Sequence, residues 1–436
     1  MIGVQRRAAI LDALRRGTVP HDGLAAFAVG IEQFETAIDT DLAAVAGGRG
    51  TFKAVRGEYG SGKTFMARWL QERARAVGFA TAEVQVNETE TPLHRWETVY
   101  RRLVERLATS DTSEGALRPA VDAWFYTLEE DVLAEGRVDP KDADALAAAT
   151  ELLMERRLAA IARTAPAFSA VLRAYRRALF AGDSALSEGL IAWLGGQPNV
   201  AAAVKRAAGV KGDLDAFGAM HFVAGLLTIL RDSGRAGLVL VLDEVETLQR
   251  MRADTREKGL NALRQLLDEL DAARYPGLYL VVTGTSAFFD GPQGVQRLPP
   301  LAQRLHTDFA TEARFDNPRA VQVRLPGFDL DALVAVGRRV RDLFAEQARD
   351  AGRITTIVDD QYLIDLARGI TGRLGGRAGV APRLYLRKLV TEVLDRVDQF
   401  VEFDPRRHYA PTVDEREMTG AERAAAGAVD VDDVEL

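Results

Sequence analysis

Apolar residues follow two rhythms along this chain. Short segments rich in apolar residues at Phe52–Val55, Ala80–Val86, Gly237–Leu242, Leu278–Val282 and Val321–Leu325 have the length of strands. Gly237–Leu242 and Leu278–Val282 carry no polar alternation, the mark of strands buried on both faces of a parallel sheet. Spacings of three and four predict helices elsewhere: residues 4–16 with Gly17 as the stop, Ile31–Val45, Phe65–Ala76 and 256–273. From about 92 to 233 every convincing pattern is helical, in segments such as Val99–Leu107, Ala145–Ile161, Ala167–Leu179 and Phe217–Leu230. After Pro326-Gly327 the pattern is again helical, near 329–350, 359–371 and 381–399. The sum is an α/β fold: a parallel sheet with a helical insertion between its second and third strands and a C-terminal helical lid.

Composition changes this picture little. A length of 436 residues, 47% hydrophobic and 27% charged, is enough for two or three domains with ample core. Cysteine is absent, which excludes disulfides, thiolate metal sites and a cysteine nucleophile. The net charge of −7 leaves nucleic-acid binding to a local basic patch rather than to bulk charge. No apolar run reaches membrane-spanning length and no secretory segment opens the chain, so no membrane contact and a cytoplasmic location are expected.

The chemistry starts at Gly57-Glu58-Tyr59-Gly60-Ser61-Gly62-Lys63-Thr64, between the first strand and a helix beginning near Phe65. This is a complete Walker A pattern in its strand–loop–helix setting. Its glycines let backbone N–H groups surround a phosphate at a helix N-terminus. Lys63 would reach the β- and γ-phosphates and Thr64 would ligate Mg²⁺. Gly57 to Phe65 are therefore the nucleotide-binding candidates. Leu238–Leu242 followed by Asp243-Glu244 has the form of a Walker B strand. Asp243 would hold Mg²⁺, and Glu244 would polarise the water that attacks the γ-phosphate. Glu246 and Thr247 read as solvent-facing.

Three weaker candidates follow. Thr283 and Thr285 stand at the tip of the strand Leu278–Val282, where a hydroxyl can touch the γ-phosphate or the attacking water. Arg383, in Ala381-Pro382-Arg383 at the start of the last lid helix, can fold over the nucleotide. An arginine from a neighbouring subunit would complete such a site in a homo-oligomer, with Arg304 first choice among Arg297, Arg304, Arg314 and Arg319. The implied ligands are ATP or ADP and Mg²⁺. The organisation expected is an N-terminal helical segment (1–50), a nucleotide-binding α/β domain (51–327) with its insertion (about 92–233), a helical lid (328–402) and a mobile tail (403–436).

Together Ala28-Val-Gly30, Gly57–Thr64, Asp243-Glu244, the Thr283 tip and Gly379-Val-Ala-Pro-Arg383 resemble AAA+ P-loop ATPases of the origin-recognition/initiator-like branch. A resemblance covering nearly the whole chain adds Leu14-Arg-Arg-Gly-Thr-Val-Pro, Glu88-Thr-Glu-Thr-Pro-Leu93 and Arg324-Leu-Pro-Gly-Phe328. In these the chain is similar to the ATP-binding protein of type 2 BREX (bacteriophage exclusion) systems. That resemblance implies an ATPase of a bacterial phage-defence system, working with other BREX proteins through nucleotide-dependent assembly on duplex DNA or on those partners. Initiators carry a winged helix after the lid, and residues 403–436 are too few for one. DNA, if bound, would then meet the lid (Arg373, Arg377, Arg387, Lys388) or the insertion (Arg173, Arg176, Arg177, Lys205, Arg206, Lys211). The alternatives are a nucleotide-dependent signalling switch with little turnover and, against the Asp243-Glu244 pair, a P-loop kinase.

Overall fold

The computed structural model describes residues 3–136, 138–373, 382–418, 420 and 423. Among these, five strands form one parallel sheet: β1 (Thr51–Arg56), β2 (Ala80–Gln85), β3 (Leu238–Asp243), β4 (Leu278–Gly284) and β5 (Gln322–Arg324). All five fall on the runs that the sequence predicts. Their order, β2-β3-β4-β1-β5, is consistent with a P-loop NTPase.

Strand parity decides which element covers which face. Leu238, Leu240, Leu242, Leu278, Leu280 and Val282 point to one side, into a core shared with the insertion helices. Val239, Val241, Tyr279 and Val281 point to the other, into a core shared with the N-terminal and C-terminal helices. The insertion is built around Phe222, whose ring meets Tyr100, Phe168 and Trp193 edge-on at 5.8, 5.0 and 5.8 Å. It includes Leu117–Ala134, Ser184–Leu194 and Ala202–Ala208, helices beyond those read from the sequence.

The C-terminal bundle comprises Leu330–Ala345, Ala351–Ile357, Asp360–Arg373 and Pro382–Lys388, the last continuing through a π-helical turn, Leu389–Leu394, into Asp395–Gln399. The first helix of the chain, Val4–Arg15, packs on this bundle. Arg15 pairs with Asp395 at 2.8 Å, and Arg7 pairs with Glu346. After Phe403 the chain forms a short helix, Pro405–His408, and lays Tyr409, Val413 and Met418 against the same core. Gly379, Val380, Ala381, Arg377 and the acidic stretch 429–436 lie outside the described residues.

Candidate functional site

The cradle follows β1 directly. Gly60 and Gly62 take left-handed backbone (φ +84° and +89°), which turns the loop back into the helix Lys63–Ala76. A Cβ on Gly57 would stand 2.2 Å from the Ser61 hydroxyl oxygen, so a side chain there would displace that hydroxyl from the loop. The Ser61 hydroxyl is buried without a hydrogen-bond partner. A buried orphan donor inside a glycine loop at a helix N-terminus suits a phosphate oxygen. Phe65, one turn into the helix, packs edge-on against Phe27 at 5.3 Å.

Sheet register brings the distant acidic pair to this loop. Gln85 lies beside Asp243 in the β2–β3 ladder, and β4 places Thr283 on the other side. The Thr64 hydroxyl lies 3.1 Å from Asp243 Oδ2, and the Thr283 hydroxyl donates to Asp243 Oδ1. A threonine hydroxyl beside a carboxylate is a donor set that fits Mg²⁺, an ion that keeps most of its waters and shares substrate phosphates. Burial pushes the Asp243 carboxyl above its ordinary range, against the hydrogen bonds from Thr283 and Thr64 that favour its charge.

Glu244 adopts φ +59°, ψ 42°, a left-handed conformation uncommon for a side-chain-bearing residue. Its N–H donates to Asp243 Oδ1 (3.1 Å) and Thr283 Oγ1 (3.2 Å), which fixes the strained turn. Its carboxylate accepts from the Gln85 side-chain amide at 2.8 Å. Lys63 is buried and donates to the carbonyls of Gly57 (2.9 Å) and Glu58 (3.2 Å).

Glu246 departs from its solvent-facing expectation. It is 5% exposed, with Oε1 3.9 Å from the Lys63 ammonium and Oε2 unpartnered. Burial raises its pKa, opposed by the charge of Lys63. The turn at Glu244 rotates the chain inward, and no local sequence signal announces that. Thr285, the other strand-tip candidate, instead caps the short helix Ser286–Asp290.

One cleft of about 760 Å³ is lined by Tyr59 to Phe65, Asp243, Glu244 and Glu246. It continues over Phe27, Val29 and Phe328 to Pro382 and Arg383 of the lid. Arg383 thus lies at the cleft, where its guanidinium donates to the Glu417 carbonyl at 2.6 Å. Arg304 does not lie at the cleft of its own chain: it pairs with Asp268 at 2.5 Å and with Asp271. Gln85 and Arg250, which the sequence reading passes over, and Glu246, which it turns to solvent, stand with the expected residues.

The proposed basic surfaces are largely tied up. Lys388 is 2% exposed and pairs with Glu392 and Glu417, while Arg387 reaches Glu417 at 3.4 Å. Arg173 pairs with Glu155, Lys205 pairs with Asp213, and Arg176 is buried against Phe125 and Phe180. Arg177, Arg206 and Lys211 remain exposed. No helix among the described residues is long and apolar enough to cross a membrane.

The sequence matches, over residues 2–413, the family described as BREX system ATP-binding protein BrxC/D. No curated protein matches it.

Proposed function

The chain belongs to the BREX system ATP-binding protein BrxC/D family, and from that premise we propose that it hydrolyses the ATP it binds, in the manner of an AAA+ ATPase. The observation that carries this reading is the convergence of the glycine loop and the acidic pair at Thr64 and Asp243, 179 residues apart in sequence. Mg²⁺, held by these two side chains, would neutralise charge on the β- and γ-phosphate oxygens. Lys63 exchanges the carbonyls of its own loop for phosphate oxygens. Thr283 holds Asp243 in place. Glu244, released by Gln85, takes up the attacking water as general base. Arg383 leaves the Glu417 carbonyl for the nucleotide and draws the lid with it. The resulting change of angle between sheet and lid would alter assembly on DNA or on defence partners.

Binding and steady-state turnover test this together. Lys63→Ala should abolish nucleotide binding, and Glu244→Gln should bind ATP and stop turnover. Unchanged turnover in Glu244→Gln would remove Glu244 from the role of base. A second reading, a switch with little turnover, is favoured by the Gln85 bond that holds Glu244 in the structure described. The pairing of Arg173, Lys205, Arg387 and Lys388 removes part of the basic surface that DNA would need. Turnover unaltered by duplex DNA, with ATP retained stoichiometrically, would support the switch. Stimulation by DNA would support an engaged motor.

A further inference from the structure

We propose that Arg250 supplies, from within the same chain, a cation for the terminal phosphate of bound ATP, and so makes the cleft discriminate ATP from ADP. The inference rests on the reading of the cleft as the ATP site.

Arg250 ends the 3-10 turn Val245–Arg250 that leaves the acidic pair, and it lines the cleft with Tyr59, Gly60 and Lys63. Its guanidinium donates to the Tyr59 hydroxyl at 3.2 Å, and the Tyr59 ring centre lies 5.2 Å from the Lys63 ammonium. Two cations therefore flank one phenol at the mouth of the cradle. The Lys63 ammonium is engaged by loop carbonyls and Glu246, and Arg383 by the Glu417 carbonyl. Arg250 has no carboxylate partner among the described residues, in a chain where Arg173, Arg304 and Arg324 all have one. The phenol oxygen is a neutral acceptor of one bond, whereas a phosphate offers charged oxygens that can take two from the guanidinium fork, so the exchange is favourable.

An exposed arginine is ordinarily a solvated one, but the support beneath this residue argues otherwise. The buried Arg256 donates to the carbonyls on either side of it, Gln249 at 3.1 Å and Met251 at 3.5 Å. The Gln249 amide in turn bonds the Ala287 carbonyl at 2.9 Å. The backbone that carries Arg250 is thus fixed to the core on both sides, as a binding group requires and a solvated one does not. Direction selects the phosphate. The loop backbone would enclose the inner phosphates, whereas Arg250 comes from the turn after Glu244, the side from which water would attack. Asp243, Glu244 and Glu246 already crowd that side with carboxylates, so a terminal phosphate there needs an added cation.

The test measures the affinity of the full chain for fluorescent, non-hydrolysable ATP and for fluorescent ADP, both with Mg²⁺. Arg250→Ala should weaken the ATP analogue about tenfold to a hundredfold and ADP by less than about twofold. Arg250→Lys should fall between, because a point charge replaces the fork. Arg252→Ala removes an exposed neighbouring charge and should change neither. Retained ADP binding certifies that each variant is folded. Equal weakening of both nucleotides, no weakening, or an equal effect from Arg252→Ala would overturn the proposal. A wild-type chain that takes up neither nucleotide would overturn the reading of the cleft as well.

Discussion

At the scale of residues, the site is a set of charges held by short polar bonds. Thr283 links Asp243 to the Glu244 backbone through one hydroxyl. Thr283→Val should therefore lower kcat by at least about tenfold while ATP affinity changes little, a split that stopped-flow binding and steady-state rates resolve. Gln85→Ala should have the opposite sign: with its amide gone, Glu244 is free in the resting protein, and basal turnover should rise several-fold. Gly57–Thr64 and Asp243-Glu244 were legible because their chemistry is written in adjacent residues. Gln85 was not, since its place depends on register with Asp243, a partner 158 residues away. Nor was the inward turn at Glu246, which follows from the left-handed backbone of a glutamate.

At the scale of elements, unbroken apolar runs reported β3 and β4, because a strand buried on both faces leaves no other pattern, while β1, β2 and β5 showed as short segments interrupted by polar residues. Helices were read less completely. Leu117–Ala134 contains Pro119 and a mixed surface, and Ser184–Leu194 is apolar nearly all round, so neither shows a clean stripe. What Val4–Arg15 packs against was invisible, because a stripe names no partner. Its bonds to the lid make a stability prediction: Asp395→Ala, which strips Arg15 of its forked partner, should lower Tm by a few degrees in a thermal melt. The lid also carries a pH signature. The Tyr362 backbone N–H, with Arg406, holds the Asp359 carboxyl below its usual value of 3.8, and Arg341 does the same for Asp360. Groups depressed in the folded state stabilise it above the unfolded value and lose that contribution as pH falls through the folded one. Thermal melts of Asp359→Asn/Asp360→Asn should thus decline less steeply than wild type below about pH 4.

At the scale of the molecule, the sheet divides the chain into two covers. The insertion and the helix Ala253–Asp271 cover one face; the helices Glu35–Ala46 and Lys63–Ala76 cover the other, with the lid and the first helix in the same core beyond them. The nucleotide would lie at the strand ends beneath the second cover, so lid movement need not disturb the first. Of the insertion cations named, Arg173 and Lys205 are ion-paired and Arg176 is buried, which leaves only Arg177, Arg206 and Lys211 to face a polyanion. Duplex DNA should accordingly bind weakly in a fluorescence-anisotropy titration. A salt slope of several phosphate contacts in that titration would show a basic surface that the pairing of these side chains does not foresee.

Residues 4–15 are bolted to the lid at Arg7 and Arg15, and Gly17 lies against Arg383. A bulky fusion ahead of residue 3 would therefore burden the lid, the part that the proposed closure would move. A small dye placed there, paired with one at the exposed Phe217 of the insertion, would turn the chain into its own gauge of the proposed cleft closure.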